Sequence, residues 1–200
     1  MADKYLFPNT YGLVLCGGKS SRMGTDKSML QYYDKPQRYH VYDMLLPFCE
    51  KVFISCDDEQ MKNIEAGYRA IADDETFSNM GPMGALLTGF TQFPEKNILL
   101  IGCDYPFLKT DELERFANLC LKTPATFYNQ EADIYESMLG WYPYSCFEIL
   151  KQMFKAREFS LQQLLKSKNA LQYLPADITS IQSVDTSEAF LKAYNSIKKA

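Results

Sequence analysis

A glycine-rich segment near the N-terminus constrains the fold more than any other feature of the chain. The apolar run at residues 13–16, Leu-Val-Leu-Cys, has the length of a buried strand. It ends on Gly17 and Gly18, where the backbone can take a positive φ without a steric clash. A strand that passes directly into such a loop is typical of α/β proteins that bind a ligand above the end of the strand.

The polar residues of this loop indicate what kind of ligand it binds. Ser20, Ser21 and Gly24 leave backbone N–H groups available for phosphate oxygens, and Arg22 and Lys27 add two cations to the same short segment. The loop therefore favours a polyanion such as a nucleoside triphosphate.

Two widely used phosphate-binding loops do not fit. A Walker A motif requires a glycine at the position of Leu13, and Gly12 lies one residue out of register. The dinucleotide-binding pattern Gly-x-Gly-x-x-Gly is also absent, because Gly17 and Gly18 are adjacent and the next glycine is Gly24.

Composition limits the architecture and the class of partner. Two hundred residues, 46% of them apolar, suit one domain spanning residues 1–200. A net charge of −4 argues against a nucleic-acid partner. The six cysteines include no Cys-x-x-Cys pair, and we expect them to be reduced and buried. We see no signal-peptide segment and no apolar run long enough for a membrane, so we expect a cytoplasmic location.

Alternating short strands and helices follow the loop. We predict strands at 51–55, 69–72 and 97–103, and helices at 37–49, 59–66 and 82–92. Residues 125–141 read better as a β-hairpin than as a further strand-helix unit. The fold class predicted is α/β, a Rossmann-like three-layer sandwich with a mainly parallel twisted sheet and an antiparallel hairpin at the edge.

Asp104 is the best candidate for a metal ligand. It follows the most apolar strand, at the carboxyl end where α/β sheets bind ligands, and a lone carboxylate opposite a cationic phosphate loop can hold Mg²⁺. Asp57 and Asp58 could form another metal site, but acidic residues are also favoured at a helix N-terminus. His40, the only histidine, is interpreted as a surface or packing residue.

The loop resembles the signature of the molybdenum cofactor guanylyltransferases, a family of nucleotidyltransferases. The resemblance rests on a run of matching residues: Gly17, Gly18, Ser20, Ser21, Arg22, Met23, Gly24, Asp26 and Lys27. It implies the fold of nucleotide-diphospho-sugar transferases and a loop that wraps the triphosphate, contacted by Arg22 and Lys27. Cys16 stands where the family has alanine.

Two later segments extend the resemblance. An aspartate, Asp73 or Asp74, precedes Gly81-Pro82-Met83-Gly84, as in a family segment that closes over the nucleotide. Gly84 is expected to let the helix start lie against a ligand. Asp104-Tyr105-Pro106-Phe107 matches the family's metal-binding motif. The nucleotide-contacting residues implied are Leu15, Cys16, Gly17, Gly18, Ser20, Ser21, Lys27, Asp73, Gly81 and Pro82.

The last third of the chain matches less closely. Residues 136–142 lack the His-Pro or Glu-Pro pair of the family's acceptor segment, and Gln162 replaces an arginine. Asp185 replaces an asparagine near the last helix, where it could bind the metal with Asp104. Alternatively, Asp185 or Thr186 is only the N-cap of a helix over 187–197.

The resemblance implies a Mg²⁺-dependent transfer of GMP from GTP to molybdopterin with release of pyrophosphate. Arg22, Lys27 and Asp104 would be the catalytic residues. Transient contact with cofactor-synthesis proteins or molybdoenzymes is also implied. Two alternatives are a cytidylyltransferase with another phosphate acceptor and a nucleotide- or cofactor-binding protein that has lost turnover.

Overall fold

The computed structural model describes residues 5–16, 26–78 and 80–199, and this part of the chain contains a seven-stranded sheet. Its strands are β1 (Thr10–Leu15), β2 (Lys51–Cys56), β3 (Ala70–Ala72), β4 (Asn97–Gly102), β5 (Ala125–Asn129), β6 (Ile134–Tyr142) and β7 (Leu171–Tyr173). They lie side by side in the order β3-β2-β1-β4-β6-β5-β7. Strand β6 runs antiparallel to both of its neighbours, and the other pairings are parallel.

Helices cover both faces of the sheet. They are α1 (Gln37–Leu45), α2 (Asp58–Met61), α3 (Pro82–Gln92), α4 (Thr110–Ala117), α5 (Cys146–Lys155), α6 (Leu161–Ser167) and α7 (Ser187–Lys199). Apolar residues of α1 and α4 share a core with one face, and those of α3, α5 and α6 share a core with the other. The predicted three-layer α/β sandwich is confirmed.

The central strands owe their near-continuous apolar sequences to burial on both faces. In β1, Leu13 and Leu15 belong to the core under α3, whereas Val14 belongs to the core under α1. In β4, Leu100 and Ile101 divide between the two cores in the same way. Successive side chains of a strand point to opposite faces, so every position of a covered strand must be apolar. Full burial of each such side chain stabilises the fold by about 1.5–3 kcal/mol.

The hairpin is present, but its place in the sheet differs from a simple edge addition. Strand β6 pairs with β4, β5 lies beyond β6, and the unpredicted β7 forms the edge beyond β5. A strand of three residues, Leu171–Tyr173, is too short to give a clear signal in the sequence. The result is a parallel sheet that continues through one reversed strand.

Two helices are shorter than predicted. Helix α1 ends at Leu45 because Pro47 follows, and a proline has no N–H to donate and restricts the residue before it. Helix α2 ends at Met61 instead of continuing to residue 66. The side-chain amide of Asn63 donates to the Glu59 carbonyl at 3.0 Å, and the backbone N–H of Asn63 donates to Gln60 instead. The carbonyl that a continued helix would offer to the Asn63 N–H is therefore already used by a side chain.

The structure also bears on the expectations for the cysteines and for membrane-spanning segments. All six cysteines are buried and free. Within residues 5–16, 26–78 and 80–199, we find no helix with the length and apolar character that crossing a membrane requires.

A buried hydrogen bond joins the first strand to the reversed strand. The indole N–H of Trp141 donates to Thr10 Oγ1 at 3.1 Å, and both side chains are almost completely buried. Since β1 and β6 flank β4 on opposite sides, this bond ties three neighbouring strands together.

We predict that Thr10→Val lowers the free energy of unfolding by about 1–3 kcal/mol, because valine keeps the shape but leaves the buried indole N–H without an acceptor. Urea unfolding followed by tryptophan fluorescence measures the change. Thr91→Val is the matched control: Thr91 is exposed and bonds only to Leu87 of its own helix, so little effect is expected. Equal losses in the two variants would contradict the prediction.

Candidate active site at the carboxyl edge of the sheet

The parallel strands bring the candidate residues to one edge of the sheet. Leu15 ends β1, Ser55 lies near the end of β2, Asp73 follows β3 and Asp104 follows β4. Because these four strands are parallel and adjacent, their carboxyl ends meet there. Five predicted contacts of the glycine-rich loop lie outside the described residues: Gly17, Gly18, Ser20, Ser21 and Arg22.

Asp104 presents an enclosed carboxylate oxygen at this edge. Its Oδ1 has no hydrogen-bond partner within the described part of the chain. Gly102 leaves the space for this atom, since a Cβ at residue 102 would lie 2.5 Å from Oδ1. Burial, followed by the charge of Asp185, raises the pKa of Asp104 to about 6, and the Lys27 ammonium acts in the opposite direction. A polar atom buried at this cost is a frequent mark of a ligand site.

Lys27 and Asp185 form an ion pair beside Asp104. The Lys27 ammonium lies 2.5 Å from Asp185 Oδ1, and Ser183 Oγ donates to Asp185 Oδ2 at 3.2 Å. The neighbouring Val184 donates its N–H to the carbonyl of Asp104 at 2.8 Å, which fixes this segment against the end of β4. Three residues predicted separately from the sequence therefore come together.

The turn that carries Lys27 is capped by the preceding residue, Asp26. Residues Lys27–Met29 form one 3₁₀ turn. Asp26 Oδ1 accepts hydrogen bonds from the N–H and the hydroxyl of Ser28, at 2.9 and 2.8 Å. The Lys27 side chain thus projects from a turn of defined conformation, not from a free loop.

Thr186, not Asp185, caps the last helix. Its Oγ1 accepts from the N–H of Ala189 at 3.1 Å, and its carbonyl accepts from Phe190. Helix α7 then runs to Lys199, two residues beyond the predicted end. Asp185 is consequently available for the site, where it contacts Lys27; its role as a metal ligand stays a prediction.

A pocket of about 300 Å³ opens between the ends of the first three strands and the start of α3. Four of the predicted nucleotide-contacting residues line it: Leu15, Asp73, Gly81 and Pro82. Gly81 adopts a φ of 56°, a left-handed conformation that favours glycine, and Pro82 then begins α3. The volume lies at the lower end of the roughly 300–1,000 Å³ typical of small-molecule sites.

The lining of this pocket is strongly acidic. It contains four carboxylates: Asp57, Asp58, Asp73 and Glu75. Ser55 Oγ donates to Asp73 Oδ1 at 2.8 Å, and burial raises the pKa of Asp73 above its usual value. Of the two aspartates that the sequence left open, Asp73 therefore lines the pocket, while Asp74 caps the 3₁₀ turn Glu75–Phe77.

Near this pocket, the interpretation of Gly84 is wrong, and that of Cys16 remains a prediction. A Cβ at Gly84 would lie 2.5 Å from the Phe77 carbonyl oxygen, so this glycine is required for close packing against a neighbouring turn and not for ligand contact. Cys16 is buried and donates its N–H to the Ser55 carbonyl at 3.2 Å. Its predicted contact with the nucleotide remains a prediction.

Several contacts within the site carried no signal in the sequence. Gln60 Nε2 donates to Asp26 Oδ2 at 2.9 Å, joining residues 34 positions apart. Tyr105 donates its hydroxyl to Glu136 Oε2 at 2.9 Å, and burial raises the pKa of Glu136. Asp57 and Gln60 form a capping box, and this pattern is visible in the sequence. The contact of Gln60 with the distant Asp26 is not visible there.

His40 is a packing residue, as predicted. Its ring stacks on that of Tyr33, with 4.0 Å between the centroids and an interplanar angle of 10°. Burial lowers the pKa of His40, which favours the neutral ring.

The oxygen ligands at this edge fit a hard divalent cation. Asp104 offers an enclosed, unpartnered oxygen among the described residues, and Asp185 lies close enough to influence its pKa. Within those same residues, no three His, Cys, Asp or Glu side chains gather into a metal-binding cluster. Mg²⁺ is commonly held by one or two carboxylates together with phosphate oxygens and water, and such a set is compatible with this edge.

Comparisons with known proteins identify the family of the chain. A family model described as "MobA-like NTP transferase domain" matches residues 12–173. The "Molybdenum cofactor biosynthesis bifunctional protein" of Synechocystis is 35% identical over 134 residues, which cover 66% of this chain and 38% of that protein. The molybdenum cofactor guanylyltransferase of Pseudomonas putida GB-1 is 28% identical over 164 residues, covering 80% of this chain and 83% of that one.

Solved structures agree on the fold. Molybdopterin-guanine dinucleotide biosynthesis protein A from Archaeoglobus fulgidus matches with a TM-score of 0.77 over 96% of this chain and 100% of that one. The sequence identity is 19%, so this likeness concerns the fold alone. Several other curated relatives are matched over only 53–55% of their length, so the chain spans about half of each. Since the family match runs from β1 through β7 and includes the carboxyl edge of the sheet, the chain belongs to the MobA-like NTP transferase domain family.

Proposed function

We propose that this chain is a nucleotidyltransferase that transfers GMP from GTP to molybdopterin and releases pyrophosphate. The observation that carries the proposal is the enclosed Asp104 oxygen, unpartnered among the residues that the structure describes, beside the Lys27–Asp185 ion pair at the carboxyl edge of the sheet. The names of the curated relatives support the choice of substrates, because several are molybdenum cofactor guanylyltransferases.

The proposed reaction is an in-line displacement at the α-phosphorus. An oxygen of the acceptor phosphate forms a bond to the α-phosphorus. At the same time, the bond between the α-phosphorus and the oxygen that bridges to the β-phosphate breaks, and its electron pair leaves with pyrophosphate. Such a reaction depends on positioning and charge neutralisation. It requires no covalent intermediate on the enzyme.

Lys27 would bind the triphosphate and neutralise charge that grows on the leaving pyrophosphate. The Asp26-capped turn and the ion pair with Asp185 hold the Lys27 ammonium at the edge of the sheet where Asp104 lies. Asp104 and Asp185 would hold Mg²⁺, which when bound supplies positive charge to the phosphate oxygens and orients them. Arg22, outside the described residues, would add a second cation to the triphosphate.

The acidic pocket favours guanine among the four bases. Guanine carries two adjacent donors on its Watson–Crick edge, the ring N1–H and the exocyclic amine, and one carboxylate can accept both. The corresponding edge of cytosine presents two acceptors beside its amine, which a carboxylate would repel. Asp73, buried and oriented by Ser55, is the carboxylate we assign to this contact.

The acceptor side is defined by Tyr105 and Glu136. Strand β6 runs antiparallel to β4, and its N-terminal part extends past the end of β4, which brings Glu136 to the Tyr105 hydroxyl. A cytidylyltransferase acting on another phosphate acceptor and a binding protein without turnover are the competing functions. The acidic base pocket argues against the first, and the retained Lys27 and Asp104 argue against the second.

We predict that Lys27→Met reduces kcat by about 100-fold or more, because the leaving pyrophosphate loses a cation that acts in the transition state. Pyrophosphate release measures the loss. Lys35→Met removes a lysine that is paired with Asp43 outside the site and should leave turnover within about twofold of the wild type. If both variants kept full turnover, the role assigned to Lys27 would be wrong.

Asp104→Asn is expected to abolish most turnover and yet to stabilise the protein in EDTA at pH 7.5. The pKa of Asp104 is raised to about 6 from 3.8, so its ionisation above pH 6 opposes folding, and this cost disappears as the pH falls toward 4. Asparagine carries no such cost. Thermal unfolding should give a higher Tm for the variant at pH 7.5 and a smaller difference at pH 4.5.

Full turnover of Asp104→Asn with Mg²⁺ would contradict the assignment of Asp104 to the metal. A lower Tm at pH 7.5 would contradict the account of its burial. The two measurements are independent, so loss of activity cannot be ascribed to unfolding.

We also expect Asp73→Asn to reduce the preference for GTP over CTP by at least about tenfold in kcat/KM, since an amide presents one acceptor where a carboxylate presents two. Turnover with both nucleotides measures the ratio. Asp74→Asn is the control, because Asp74 does not itself line the pocket and asparagine keeps an oxygen that can cap the turn Glu75–Phe77. An unchanged ratio in Asp73→Asn would remove Asp73 from base selection.

A further inference from the structure

A single side-chain amide joins the base pocket to the turn that carries Lys27. Gln60 lies in α2 and lines the pocket. Its Nε2 donates to Asp26 Oδ2 at 2.9 Å, and its Oε1 accepts from the N–H of Asp57 at 3.2 Å. Both polar atoms of the Gln60 amide are therefore hydrogen-bonded: the nitrogen donates to a carboxylate, and the oxygen accepts from a backbone N–H.

Asp26 transmits this contact to the lysine turn. Its other oxygen, Oδ1, accepts from the N–H and the hydroxyl of Ser28, which follows Lys27. One carboxylate thus holds the first turn around Lys27 and the amide of Gln60 at the same time. Any displacement of Asp26 changes the conformation from which Lys27 reaches Asp185.

The helix that carries Gln60 is anchored at its far end. The carbonyl of Asn63 accepts from the buried Arg38 guanidinium at 2.7 Å, and the N–H of Glu65 donates to the Tyr39 hydroxyl at 2.9 Å. These bonds fix the chain after α2 to helix α1. A short helix held in this way gives Gln60 a defined position from which to hold Asp26.

We propose that Gln60 is a positioning residue for guanylyl transfer, which sets the position of Lys27 through its hydrogen bond to Asp26. This inference rests on the proposed function. Gln60 forms part of the wall of the base pocket. The same amide therefore also links that wall, through Asp26, to Lys27, the cation that acts on the triphosphate.

A polarity swap tests the bridge. Gln60→Glu places a carboxylate against Asp26, and Asp26→Asn places an amide N–H₂ against that of Gln60, which cannot rotate without losing its bond to Asp57. In the double variant, the carboxylate introduced at position 60 accepts from the amide introduced at position 26 and from the N–H of Asp57. The amide oxygen at position 26 still accepts from Ser28. Every hydrogen bond returns, and the net charge equals that of the wild type.

Each single variant should lower kcat by roughly tenfold, with the KM for GTP changed less than about threefold, and the double variant should recover to within about threefold of the wild type. A merely structural role would lower Tm and the active fraction without lowering kcat per active molecule. A double variant as slow as the slower single variant would overturn the proposal.

Glu59→Gln is the matched control. Glu59 is exposed on the same short helix, pairs with Lys62 and does not line the pocket, so its kcat should equal that of the wild type. A loss equal to that of Gln60→Glu would assign the effect to the charge of the helix and overturn the proposal.

Amide hydrogen exchange separates failure of the bridge from failure of the proposed function. In the protein alone, the amides of Ser28 and Leu30, bonded to Asp26 and Lys27, should exchange about tenfold faster in each single variant and return to the wild-type rate in the double variant. If the wild type releases pyrophosphate from no nucleotide, the proposed function fails, but this exchange pattern still supports the bridge. Unchanged exchange in the single variants, or no recovery in the double variant, overturns it.

Discussion

The burial of one carboxylate at the end of the central strand governs the rest of this structure. Asp104 follows β4, the strand between β1 and β6, and its Oδ1 is enclosed without a partner in the described part of the chain. Burial of this carboxylate opposes folding when the group is charged, and it raises the pKa of Asp104. Gly102 leaves space for the carboxylate, and a backbone hydrogen bond and the Lys27 ammonium both favour its charged form.

Contacts between distant parts of the chain complete the site around this carboxylate. The segment before α7 is bonded to Asp104 through Val184 and to Lys27 through Asp185. On the other side, Asp26 links the lysine turn to Gln60 and the acidic pocket. The site is thus assembled from the first and last parts of the chain, on a parallel sheet that supplies a common edge. Apolar cores on both faces of the sheet keep that edge in place.

Much of the fold was predictable from the sequence, because local patterns determine it. The apolar runs of β1 and β4, the Pro82 start of α3 and the hairpin all carried a direct signal. The shortened α2 and the edge strand β7 did not: α2 ends where the Asn63 side chain takes a backbone carbonyl, and β7 depends on a distant partner, β5. For the candidate site, motif resemblance indicated Lys27, Asp73, Asp104 and Asp185; the structure brings them to one edge of the sheet, and their roles stay predictions. The Ser55, Gln60 and Glu136 contacts were not predictable, because side-chain pairing across a sheet edge leaves no periodic pattern in the sequence.

Pyrophosphate release by the wild-type chain tests the central claim most directly. GTP, CTP, ATP and UTP would each be supplied with Mg²⁺, with and without molybdopterin. The account predicts release from GTP above the other nucleotides, and only when molybdopterin is present. Release from CTP in preference to GTP, or no release from any nucleotide by protein that binds GTP, would contradict it.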